Sequence, residues 1–293
     1  MRSGARRVLV GFLRRSERVS RRLRESLDRA GRAKPVERCS FPDLHEAPSE
    51  AHWEDYVGSL GPVQAVTEVC GAVSKALLAE TVEGETLLEA GCGTAVLSAQ
   101  MALAGRRILL CDFSKPILER ALEVFEASAL PTPDTFCCDI TQGLPFGEQS
   151  IDVVWSSGVL EHWPDEEVQP ILKEMARVAR RAVISLVPNA NCLMYMAGKT
   201  VAEQTGAWPF GRELPRTSMR HLFEQAGLCD IREYTVDAAH GLELLLMQNS
   251  HPVTQHSNLR NVLDQLHTRP EFADQGYLLL TVGYKRLPQA AER

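Results

Sequence analysis

No run of this chain approaches the roughly 20 apolar residues that a spanning helix needs, which excludes an integral helical membrane protein. The eight cysteines, at 39, 70, 92, 111, 137, 138, 192 and 229, form no C-x-x-C pair, and the histidines form no H-x-x-x-H. That argues against a zinc site or a disulfide framework, so free thiols in a reducing compartment are expected, with adjacent Cys137 and Cys138 as strand filler. Lysine is scarce, with six against 26 arginines, and a surplus of positive charge is found at one end only. Residues 1–40 hold 13 Lys+Arg against 4 Asp+Glu, a surplus of nine, so the remainder carries −15 behind a net charge of −6. An acidic body without a basic–aromatic stripe repels phosphates, and no nucleic-acid partner is expected.

What is there centres on residues 87–98. The apolar run Leu87-Leu88 ends in Glu89 and passes Gly91 and Gly93, after which Thr94–Ala104 reads as a helix closed by Gly105. A strand, a tight turn and a helix N-terminus let a nucleotide-like ligand come close to the backbone. A dinucleotide fingerprint would place a third glycine where Val96 stands, so the turn suits a nucleoside without a diphosphate.

Further strands follow at regular intervals, and acids stand at their ends. Ile108–Cys111 leads to Asp112, placed to accept hydrogen bonds from both hydroxyls of a ribose. Ser114 is positioned to N-cap the next helix. Thr135–Cys138 leads to Asp139, Ser150–Ser156 forms a fourth strand opened by Asp152, and Ala182–Val187 a fifth. Ile231–Val236 and Gly276–Lys285 complete an α/β, doubly wound arrangement. Ahead of the first strand, Val66, Val69, Cys70, Val73 and Leu77 recur at helical spacing, predicting a helix over 63–79.

Glu89-Ala90-Gly91-Cys92-Gly93-Thr94 resembles the first motif of the class I S-adenosylmethionine-dependent methyltransferases, and the resemblance extends over roughly residues 60–236 and the last strand. It implies a Rossmann-like seven-stranded sheet and S-adenosyl-L-methionine as cofactor. Glu89, Gly91, Cys92, Gly93, Asp112 and Phe113 would face that cofactor. Asp139 would hold the adenine amino group, with Ile140 packed against the ring. Ser157 and Leu160, in the segment after the fourth strand, would pass under the methionine part, and Trp53 and Tyr56 would roof the site. The N-P-P-Y signature of aminomethyltransferases is absent, since the fourth strand ends Trp155-Ser156-Ser157-Gly158.

His162 is the candidate base inside a motif, with a local capping or hydrogen-bonding role as the alternative. Two insertions, 190–215 and 237–275, leave from strand ends near the cofactor and form the expected substrate lid, with Tyr195, Trp208 and Phe210 as its acceptor-facing residues. The domain then spans 51–293. Residues 1–50 form a basic amphipathic arm and linker suited to an anionic membrane surface, a targeting role or a solvated arm. The expected function is methyl transfer to a small-molecule or lipid-like acceptor in the cytoplasm, with membrane contact through the arm left open. A protein or peptide methyltransferase and a catalytically silent cofactor-binding scaffold are the alternatives. A nicotinamide dehydrogenase is disfavoured by Val96 and Asp139. Oligomeric state is not specified.

Overall fold

The computed structural model describes residues 47–206, 208–247 and 267–286. The basic arm and the apolar stretch 259–266 lie outside them. Seven strands form one mixed sheet: β1 (Thr86–Ala90), β2 (Arg107–Asp112), β3 (Asp134–Cys137), β4 (Ile151–Ser157), β5 (Ala179–Pro188), β6 (Cys229–Val236) and β7 (Leu278–Tyr284). Their order is β3-β2-β1-β4-β5-β7-β6, with β7 antiparallel between β5 and β6 and the six others parallel to one another. The order reverses between β1 and β4, and ligands in such sheets bind outside the carboxyl ends of the strands at this point.

The helices are α1 (Glu50–Ser59), α2 (Ala72–Glu80), α3 (Val96–Leu103), α4 (Lys115–Ala127), α5 (Asp165–Val178), α6 (Leu193–Thr205), α7 (Arg220–Gln225) and α8 (Ala238–Met247). Two apolar clusters fill the two faces of the sheet. Leu87, Leu110, Val153 and Ile184 point into one, while Leu88, Cys111, Val154 and Val183 point into the other. Consecutive strand residues alternate between faces, so both faces must be covered and the strands read as continuous apolar runs. Among the described residues no helix is long and apolar enough to cross a membrane.

Two expectations need correction. The helix expected over 63–79 starts only at Ala72, after Gly71 at φ 84°; the apolar residues before it pack as extended chain, and Val66 is buried. Helical spacing alone cannot separate a helix from a strap that drops side chains onto a core at similar intervals. Asp152 opens β4 as the sequence indicates, and so stands apart from the acids of the site. It lies at the opposite end of the sheet, where it accepts from the Thr86 amide and pairs with Arg180. Cys111 and Cys138 are not free thiols but a disulfide, because adjacent parallel strands bring their Cα atoms to 6.3 Å.

Candidate active site

The first wall of the site comes from the turn after β1. The Gly91 and Cys92 amides both donate to the Cys111 carbonyl, at 2.8 and 3.0 Å, and the Gly93 amide donates to the Asp112 carboxylate at 3.1 Å. Three successive N–H groups are thus satisfied inside the protein, leaving them unavailable for a diphosphate. Gly91 has φ 77°, and a Cβ there would meet Val159 at 2.7 Å. Only glycine fits that approach between the β1 turn and the segment after β4.

Asp112, at the end of β2, also accepts from the Ser114 amide at 3.2 Å. Burial raises its pKa and these backbone donors lower it. Ser114 N-caps α4 as expected, accepting from the Ile117 amide, and donates to Glu54 of α1 at 2.7 Å. Glu89 is almost wholly buried beside the turn, with one carboxylate oxygen unpartnered, and burial pushes its pKa up to about 8. Asp139 lies past the end of β3 and accepts from the amide and hydroxyl of Thr141, at 2.9 and 2.7 Å.

These elements enclose a cavity of about 510 Å³. Glu89, Gly91, Cys92, Gly93, Asp112, Phe113, Asp139, Ile140 and Ser157 line it, as do Trp53, Tyr56 and His162. Leu160 does not; it is fully buried in the core behind the wall. The orphaned Glu89 oxygen, the Asp112 carboxylate and the turn that a Cβ would close suit a nucleoside carrying a polar or cationic tail. Among the described residues no cluster could hold a metal ion.

The roof is α1. Ser49 caps it by accepting from the His52 amide. Trp53 meets the His162 ring edge-on with centroids 5.1 Å apart, Tyr56 meets Phe210 at 5.3 Å, and the His52 ring donates to the Pro209 carbonyl at 2.8 Å. The helix therefore spans from Ser114 at the β2 end to the first insertion.

His162 is 3% exposed. Its Nδ1–H donates to the Arg212 carbonyl at 2.6 Å, and burial holds its pKa below the usual histidine value. The ring is neutral at pH 7.

Of the lid residues, Phe210 stands over Tyr56, but neither it nor Tyr195 nor Trp208 lines the cavity. Tyr195, on α6, is fully buried; its hydroxyl donates to Glu213 and its ring packs on Tyr277. Lys199 pairs with Glu203 and lies 4.8 Å from the Trp208 ring. Sequence reasoning assigned no role to Glu161, which is wholly buried with one oxygen unpartnered. Burial and the nearby Glu213 raise its pKa, and burial raises that of Glu213 to about 7. The adjacent acids Glu161 and Glu213 gave no periodic signal, because what buries them is the docking of the insertion on the segment after β4.

Residues 87–182 match a family model described as a methyltransferase domain. Among curated relatives, the biotin biosynthesis bifunctional protein BioHC of Cellvibrio japonicus is 28% identical over 150 residues, 48% of this chain and 27% of that protein. A probable S-adenosylmethionine-dependent methyltransferase of Mycobacterium tuberculosis is 26% identical over 174 residues, 56% of this chain and 59% of that protein. The chain thus spans less than two thirds of the length of the curated relatives it matches. Among solved structures, a possible histamine N-methyltransferase of Thermotoga maritima aligns with TM-score 0.50 and 16% identity, over 73% of this chain and 87% of that one, a likeness of fold.

Proposed function

We propose that this chain is a class I S-adenosylmethionine-dependent methyltransferase, that its cavity binds S-adenosylmethionine and that it methylates a small-molecule or lipid-like acceptor entering beneath α1. The observation that carries this reading is the meeting of Glu89, Asp112 and Asp139, from three neighbouring strand ends, on one cavity whose turn amides are already satisfied.

When bound, S-adenosylmethionine supplies an electrophilic methyl group on a sulfonium. Asp112 would take the ribose hydroxyls and Asp139 the adenine amino group, a carboxylate being the right acceptor for each. The unpartnered Glu89 oxygen would receive a donor from the same ligand. Val57, Leu60 and Trp163 line the cavity beside Trp53 and Tyr56; this apolar, aromatic wall excludes water and suits an acceptor with an apolar body. In-line transfer depends mainly on alignment. His162, neutral in its buried setting, lines the cavity and is a group able to take a proton from a hydroxyl or ammonium.

Calorimetric titration with S-adenosylhomocysteine and, separately, NAD tests the cofactor. The first should bind, and Asp112→Ala should weaken it at least tenfold; binding of NAD alone would refute the reading. Radiolabelled cofactor incubated with separated lipid, metabolite and peptide fractions then identifies the acceptor, and label in peptides alone would replace the small-molecule assignment.

A further inference from the structure

The disulfide stands where it can act on the site. Cys111 directly precedes Asp112, and its carbonyl accepts the Gly91 and Cys92 amides. Cys138 directly precedes Asp139 and lines the cavity. The bond therefore joins the two strand ends that carry the ribose and adenine acids, closing a loop of sequence separation 27. β3 is a four-residue edge strand paired with β2 alone; apart from the disulfide, its end is tied by the Cys137 thiol donating to the Phe113 carbonyl at 3.4 Å and by Phe136 meeting the Phe146 ring at 4.6 Å. Past the strand, the Cys138 amide donates to the Asp112 carbonyl at 2.9 Å.

We propose that the Cys111–Cys138 pair is a thiol–disulfide modification site, at which a small or protein dithiol opens the bond and thereby lowers the affinity of the nucleoside cavity. This rests on the reading of that cavity as an S-adenosylmethionine site. Cys138 is half-buried and reached from the cavity, whereas Cys111 is fully buried. A thiolate of the reductant attacks the Cys138 sulfur, the S–S bond breaks, and Cys111 leaves and takes a proton. The second thiol of the reductant then displaces Cys138, giving two protein thiols and the reductant's disulfide. A disulfide oxidant reverses the exchange.

Opening the bond frees the chain at Asp139 and Ile140 while the Cys138 amide bond persists, so the effect is graded. Loss of preorganisation of this kind lowers affinity by roughly three- to tenfold. Linkage requires the reverse effect: bound ligand must shift the thiol–disulfide equilibrium against dithiothreitol towards the disulfide.

The full chain, purified without reductant, is denatured, alkylated and digested before and after reduction. A Cys111–Cys138 linked peptide is expected, with Cys137, exposed and outside the bond, alkylated in both samples. S-adenosylhomocysteine is then titrated into oxidised and dithiothreitol-treated protein. A three- to tenfold weaker affinity after reduction is expected, abolished as a difference in Cys111→Ser and in Cys138→Ser but kept in Cys137→Ser. Alkylation of both Cys111 and Cys138 after treatment with a disulfide oxidant, or equal affinity in the two states despite a linked peptide, would overturn the proposal. If neither state binds S-adenosylhomocysteine, the cofactor reading falls and the redox effect on affinity falls with it, while the peptide map still reports whether the bond forms.

Discussion

His162 and Arg212 are bonded to each other in both directions. The imidazole Nδ1–H donates to the Arg212 carbonyl at 2.6 Å, and the Arg212 guanidinium returns two donations to the His162 carbonyl, at 3.0 and 2.7 Å. Next to this clasp the Leu214 amide donates to the Glu161 carbonyl, and the Arg216 amide to the Pro188 carbonyl. The first insertion is thereby fastened to the segment after β4 that forms the cavity wall.

The clasp separates two roles for His162. Asparagine in its place can still donate to the Arg212 carbonyl but cannot act as a base. We expect His162→Asn to keep methyl transfer within about threefold of wild type and His162→Ala to lose about tenfold. If the ring accepts the acceptor's proton, both variants lose a hundredfold or more. Arg212→Met, measured by hydrogen exchange, should speed exchange at the Leu214 amide in either case.

Gly91→Ala tests the turn. A left-handed alanine costs about 1–2 kcal/mol, and its methyl group meets Val159 at 2.7 Å. A lower melting temperature and loss of S-adenosylhomocysteine binding are expected. Gly84→Ala has a similar φ of 84° but open space around it, so it should destabilise without affecting binding.

Glu89 links cofactor binding to pH. With burial raising its pKa to about 8 it is largely protonated at pH 7, and a cationic ligand beside it favours the carboxylate. Binding of S-adenosylmethionine should release a proton at pH 7, and affinity should rise from pH 6.5 to 8.5. Calorimetry in phosphate and in Tris detects the proton as a difference in apparent enthalpy. Glu89→Gln should abolish both the difference and the pH dependence.

Glu213 and His162 oppose each other in stability. The Glu213 pKa rises from 4.5 to about 7 on folding, so the folded state binds more protons between those values and stability is lost as pH climbs through 7. His162 is shifted downwards, so its contribution is lost as pH falls below about 6.5. Thermal melts of Glu213→Gln should therefore gain on wild type from pH 5 to about pH 7 and level off above it, whereas a constant offset would show that Glu213 does not titrate on unfolding.

The strand ends were legible because the signal was local. Apolar runs closed by Glu89, Asp112 and Asp139 require only that each strand exit the sheet at the same edge, which a parallel sheet enforces. The strap over 63–71 was not legible, since its apolar spacing imitates a helix and only Gly71 marks the break. The insertion was recognised as an insertion, but the inward turn of Tyr195 and the burial of Glu161 and Glu213 follow from a docking that no local pattern encodes.

The sequence by itself determined the alternation of strands and helices, the two-glycine turn and the acids that follow the strands, because periodicity and turn chemistry act within a few residues. Only the tertiary structure decided which of those residues share a wall. Sheet order put Cys111 beside Cys138 across 27 residues and closed α1 and the first insertion over His162. Those contacts join segments distant in the chain, and they form only once both faces of the sheet are covered.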